Sequence, residues 1–121
     1  MANKKTLVIG ASENPARYSN KAIRALRMHN HEVVALAKRE GSVDDVAIKT
    51  EFPTDEKIDT VTLYVGPQRQ PEYYTAISRL KPKRVIFNPG TENPELAELL
   101  QEKGIKAEEA CTLVLLSIGA Y

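Results

Sequence analysis

The 121-residue sequence has no tryptophan, two methionines and one cysteine, Cys111. A lone cysteine excludes an internal disulfide and the disulfide-stapled secreted scaffolds, and it fits a reducing compartment. No apolar stretch approaches the roughly 18 residues of a membrane-spanning helix; the run Leu113 to Leu116 is broken by Ser117. The opening from Met1 to Thr6 holds two lysines but no apolar run of signal-peptide length. The cytoplasm is therefore the expected location, with no membrane partner. A dominant charge is missing too, the formal net charge being +1. Residues 1–50 hold nine Lys/Arg against five Asp/Glu, and residues 51–121 eight against eleven. A nucleic-acid binder would cluster its cations on one face with interleaved aromatics, so no nucleic-acid partner is expected. The mild basic excess of the first half suits a small anionic ligand.

Catalytic signatures are scarce as well. There is no G-x-S-x-G elbow and no Walker lysine. His29 and His31 flank a helix end, where a cation offsets the dipole, and neither is spaced with Cys111 or a carboxylate as metal ligands are. Cys111 reads as a small hydrophobe rather than a nucleophile. Tyr73 and Tyr74, on a helical crossover, read as core packing rather than a stacking platform. No catalytic residue and no metal site is expected.

What is present describes a folded domain. At 42% hydrophobic and 27% charged, the chain can bury one core without staples and is sized for a single domain, residues 1–121. Thr6-Leu7-Val8-Ile9 is a short continuous apolar run, the mark of a strand buried on both faces. Glu32 to Ala37, Thr60 to Val65, Arg84 to Phe87 and Ile105 to Glu109 read as four further strands. Between them, a helix capped by Ser19 runs to about Asn30, and Pro71 opens another carrying Tyr73, Ile77 and Leu80. Asn93-Pro94-Glu95 starts a third helix, ended by Lys103-Gly104. Asp44 to Lys49 reads as a short helix or turn, Thr50 to Pro53 as an extended link, and Thr112 to Ile118 as a last helix. Strand and helix alternate without a repeat or linker. That order predicts a Rossmann-like, doubly wound α/β fold: a parallel sheet of about five strands with helices on both faces, a three-layer sandwich.

Ligands of such sheets bind beyond the carboxyl ends of the strands, where strand order reverses. Four segments fall at that edge: Gly10 to Ser19, Lys38-Arg39, Gly66-Pro67 and Asn88-Pro89-Gly90. In the first, a strand ends at Gly10 and the loop through Ala11, Ser12, Asn14 and Pro15 delivers into a helix whose free N–H groups favour anions. Ser12 and Ser19 add hydroxyls, and Arg17 adds a fork that fits phosphate. The plainer reading, a capped helix after an ordinary turn, leaves an arginine and two serines unexplained. The three-glycine dinucleotide fingerprint is absent, since Gly10 is its sole glycine. An NAD site also expects an acid after the second strand; Lys38 and Arg39 stand there. Two cations suit a ribose phosphate, the 2′-phosphate of NADP or the 3′-phosphate of coenzyme A, unless they are simply solvated.

The run Val8-Ile9-Gly10-Ala11-Ser12-Glu13-Asn14-Pro15-Ala16-Arg17-Tyr18-Ser19 resembles the opening of small stand-alone CoA-binding domain proteins, similar in fold to the N-terminal domain of the succinyl-CoA synthetase alpha subunit. The resemblance continues through Asn88-Pro89-Gly90 and Glu109-Ala110-Cys111. It implies that Ser12 and its neighbours hold a pyrophosphate and Lys38 the ribose phosphate. It further implies that Gly66-Pro67 borders the adenine and that Asn88 to Gly90 lines the pantetheine path. Lys38-Arg39 departs from the Asn-Pro often found there. The apolar ending Leu115 to Tyr121 offers a homo-oligomer contact. Three functions are then in play: a non-catalytic module for coenzyme A or an acyl-CoA, an NADP-dependent oxidoreductase, and a partner-binding domain without nucleotide.

Overall fold

Short apolar runs between glycines and prolines become the strands of one central sheet. In a computed structural model describing residues 3–121, the strands are β1 (Thr6–Ile9), β2 (Val33–Leu36), β3 (Gly41–Val43), β4 (Val46–Lys49), β5 (Thr60–Leu63), β6 (Arg84–Phe87) and β7 (Lys106–Glu109). The helices are α1 (Tyr18–Met28), α2 (Tyr74–Leu80), α3 (Pro94–Glu102) and α4 (Thr112–Ser117), and a 3-10 segment spans Pro67–Tyr73. Met1 and Ala2, part of the opening read above for a signal peptide, lie outside the described residues.

The sheet order is β3-β4-β2-β1-β5-β6-β7. Every pairing is parallel except β3 with β4. Seven strands replace the expected five because residues 41–49 form an antiparallel hairpin, not a short helix or turn. Val43, Val46 and Ile48 point into the core while Ser42, Ala47 and Lys49 face out. This period-two pattern is too short to announce itself against the polar surroundings. Asp44 (φ 51°) takes the left-handed turn position, which aspartate tolerates. Asp45 then accepts a two-pronged bond from Arg27 of α1, Nε to Oδ1 at 2.9 Å and Nη2 to Oδ2 at 2.8 Å.

Alternation along the strands sorts side chains to two faces. Leu7, Ile9, Val61, Leu63, Val85 and Phe87 meet α2 and α3 through Ile77, Leu96 and Leu100. Val8, Ala35, Ile48 and Ile86 meet α1 and α4 through Ile23, Leu26 and Leu116. The result is the three-layer Rossmann-like sandwich. Leu96 and Leu100 are fully buried, each contributing roughly 1.5–3 kcal/mol. Tyr73 and Tyr74 both pack against the first of these clusters, partly buried.

Helix starts differ from the sequence reading in two places. Arg17, not Ser19, occupies the N-cap of α1, and no side chain caps that helix; Ser19 lies inside the first turn, 4% exposed. The helix expected from Pro71 begins instead as the 3-10 turn and becomes α-helical only at Tyr74. Asn93 caps α3 as expected, accepting from the Leu96 N–H at 3.3 Å.

At the amino ends of the strands, His31 is fully buried. Its Nδ1 accepts from the Lys4 N–H at 2.9 Å, and its ring lies 5.0 Å from that of Tyr121. Tyr121 shares a 2.6 Å hydrogen bond with the Thr6 hydroxyl beneath the Arg84 guanidinium. Burial, and secondarily the nearby cations, push the His31 pKa below its ordinary 6.5. An unfolded chain therefore binds this proton more readily than the folded one. Stability is full above about pH 6.5 and falls as pH drops toward the folded value, by at most about 1.4 kcal/mol per unit. Asp45 and Glu72, with lowered pKa values, act only at more acidic pH. The melting temperature should thus decline from pH 7 to 5, and His31→Asn, which keeps an acceptor for Lys4, should flatten the decline. An equally steep profile in the variant would place the proton elsewhere.

Candidate functional site

Strand order reverses at β1, whose neighbours β2 and β5 continue the chain to opposite sides. Ile9 is level with both Leu36 and Leu63, and Leu63 with Phe87, so four strands end together. Beyond them opens a groove of about 760 Å³, inside the roughly 300–1,000 Å³ typical of ligand sites. Gly10, Ala11, Ser12, Asn14, Arg17, Ser19, Lys38, Gly66, Pro89 and Gly90 all border it. Ten of the thirteen residues singled out from sequence are therefore brought together.

The other three are placed differently. Pro15 and Pro67 are exposed and do not line the groove. Asn88 is 2% exposed, and strand alternation turns its side chain toward α4. Its amide donates to the Thr62 hydroxyl at 2.6 Å and the Leu63 carbonyl at 2.8 Å, and accepts from the Thr112 N–H at 2.9 Å. It joins strands to helix and has no polar atom to spare for a ligand in this arrangement.

The Gly10 loop is built from its own polar groups. The N–H groups of Gly10 and Ala11 both go to the Leu36 carbonyl, at 2.9 and 3.1 Å. Ser12 Oγ accepts from the Asn14 N–H at 3.1 Å, and Asn14 Oδ1 from the Ala16 N–H at 3.0 Å. Asn20 reaches back from α1 to the Ser12 carbonyl at 2.9 Å. The N–H groups of Ser12, Glu13, Tyr18 and Ser19 meet no acceptor among the described residues. Unpaired donors at the start of a helix form an anion seat.

Charge agrees with this geometry. Arg17, Lys38, Arg39 and Arg69 line the groove against one carboxylate, Glu13. Glu13 is occupied by the Ser42 N–H at 3.0 Å, so the β3–β4 hairpin braces the loop. Lys38 is engaged by Glu72 at 2.8 Å, a hydrogen bond that raises the lysine's pKa and lowers the glutamate's. Tyr64 is part of the groove lining, and burial drives its phenol well above its ordinary range.

Sequence reasoning missed Arg69, Tyr64, Tyr73 and Thr91 of the lining. Arg69 could have been found from its place two residues after Pro67 at a strand exit. Gln70 is also buried, bridging the Val65 and Thr91 carbonyls at 3.0 and 2.8 Å and accepting from Asn93 at 2.9 Å. It ties the Gly66 and Gly90 edges of the groove to each other.

Comparison with known proteins agrees with this architecture. The family described as CoA binding domain matches residues 4–117. No curated protein matches. A crystal structure of an uncharacterized protein is similar at 49% identity and a TM-score of 0.96, covering 100% of both chains. A hypothetical protein from Pyrococcus horikoshii OT3 is similar at 26% identity and a TM-score of 0.82, over 93% of this chain and 80% of that one. The dinucleotide-forming acetyl-coenzyme A synthetase 1 of Ca. Korarchaeum cryptofilum, in complex with phosphate and ADP, is similar in fold at 16% identity and a TM-score of 0.69. That match covers 86% of this chain but 25% of the synthetase chain. With the family matched over nearly its whole length, the chain belongs to the CoA binding domain family.

Proposed function

We propose that the groove binds coenzyme A or an acyl-CoA, with the pyrophosphate on the Gly10–Ser19 loop, and that the chain itself catalyses no reaction. The observation that carries this reading is the uncapped start of α1, where free N–H groups and Arg17 converge at one end of a cationic groove. Ser12 and Ser19 would donate hydroxyls to the phosphates, Lys38 would face the ribose phosphate, and Gly66 with Gly90 would border the rest of the ligand. The lone Cys111 supports a cytoplasmic setting.

A thermal-shift measurement tests the ligand. At a hundred times its dissociation constant, coenzyme A should stabilise the fold by about 2.7 kcal/mol, a rise of several degrees. A rise with NADPH and none with coenzyme A would favour the NADP-dependent alternative over this reading, and no rise with either would favour a partner-binding domain.

Arg17→Ala and Ser12→Ala test the loop. A charge-assisted hydrogen bond to phosphate contributes roughly 1.5–3 kcal/mol, so Arg17→Ala should weaken coenzyme A binding about ten- to a hundredfold. Ser12→Ala should weaken it less. Both should leave the unliganded melting temperature nearly unchanged, because Arg17 is exposed and Ser12 half-buried. Calorimetry showing full affinity in Arg17→Ala would remove the loop from the site.

Self-association through the C-terminal segment Leu115 to Tyr121 is the second part of the reading; Leu116 and Tyr121 are buried in the core, which leaves Ile118 of that segment exposed beside Val114. Val114 and Ile118 are 52% and 68% exposed, an uncommon arrangement for two large apolar residues one helical turn apart. Sedimentation should show a dimer that Ile118→Glu dissociates; a monomer at tens of micromolar would exclude it.

A further inference from the structure

Beside the groove lies a smaller pocket of about 200 Å³, lined in part by Leu36, Phe52 and Ala76. Lys38 and Tyr73 belong to both cavities, and Glu72 to the smaller one. Lys38 Nζ donates to Glu72 Oε2 at 2.8 Å and stands 6.0 Å from the centre of the Tyr73 ring. The ion pair thus forms the partition between the two spaces. Arg69, from the same 3-10 turn as Glu72, lines the groove, and its charge acts on both members of the pair.

We propose that Glu72 is a specificity-determining residue, setting how strongly the groove prefers a phosphorylated over an unphosphorylated ribose by competing for Lys38. The proposal rests on the reading of the groove as a coenzyme A site. Lys38 lines the groove with Arg39 and Arg69, but it does so already paired to a carboxylate that stands in the neighbouring pocket. A ribose phosphate reaching Lys38 must open the ion pair and then sit beside a carboxylate that repels it. A free ribose hydroxyl meets no such repulsion and can donate to that carboxylate. Opening the pair is easy, since both side chains are largely solvated, 64% and 44% exposed, and exposed pairs hold weakly. The lasting effect is on Lys38, whose attraction for a phosphate is partly spent on Glu72, a loss that a hydroxyl does not feel.

Glu72→Gln removes the charge and keeps the shape. Calorimetry would compare coenzyme A with dephospho-coenzyme A, and adenosine 3′,5′-bisphosphate with adenosine 5′-phosphate, for wild type, Glu72→Gln, Lys38→Ala and the double variant. Glu72→Gln should raise the preference for the phosphorylated member of each pair about tenfold, with an unchanged melting temperature. In the Lys38→Ala background the same substitution should change the preference little. An unaltered preference in Glu72→Gln overturns the proposal, as does an effect that persists in full without Lys38. A protein that ignores both forms of coenzyme A, yet gains discrimination between the two adenosine phosphates on Glu72→Gln, would keep this role of Glu72. It would refute the coenzyme A reading alone.

Discussion

A side chain at position 10 has nowhere to go. A Cβ there would stand 2.9 Å from the Tyr64 carbonyl oxygen and 3.0 Å from Val65 Cγ1, and the backbone has φ +96°, a region that disfavours any other residue. Glycine lets the end of β1 press against β5 while its own N–H and that of Ala11 reach the Leu36 carbonyl of β2. Three strands are tied together at one level, and the chain must then leave across the sheet edge. The loop, the start of α1 and the groove all take their positions from that crossing point.

Around it the loops are held by polar groups rather than by apolar packing. Asn20 fixes the Ser12 carbonyl, Gln70 spans from Val65 to Thr91, and Asn88 links β5 to the start of α4. A buried polar group left without a partner costs roughly 1–3 kcal/mol, so each amide accepts only a narrow range of loop positions. The inner amides are spent on the fold, and Arg17, Arg39 and Arg69 remain as the outer, solvated side chains of the groove.

That division explains what could be read from the sequence. β1, β5 and β6 are fully buried runs, and a continuous apolar stretch bounded by glycine or proline has few alternatives. The Gly10 loop was legible because its residue types exceed what a turn requires. The β3–β4 hairpin was not: its three inward residues are interrupted by the Asp44-Asp45 turn, and its pairing with β2 is decided by tertiary contact. The place of Asn88 after a strand puts it at the sheet edge, yet alternation continued from β6 turns its side chain to the other face. The partnership of Lys38 with Glu72, 34 residues away, has no local signature at all.

Arg17 carries the most informative local conflict. N-caps favour serine, threonine, aspartate and asparagine, and losing such a cap costs about 0.5–2 kcal/mol. Here an arginine holds the position without a capping bond, at the end of the helix whose dipole is already positive. Both choices oppose the stability of α1, although the hydroxyl of Ser19 and the amide of Asn20 stand only two and three residues on. An anion at the start of α1 would resolve both, accepting the unpaired N–H groups and neutralising the guanidinium. Local propensity and global fold usually agree in a natural sequence, and where they part the expected reason is a functional or a strained site. The helix is left incomplete at the point where a phosphate would complete it.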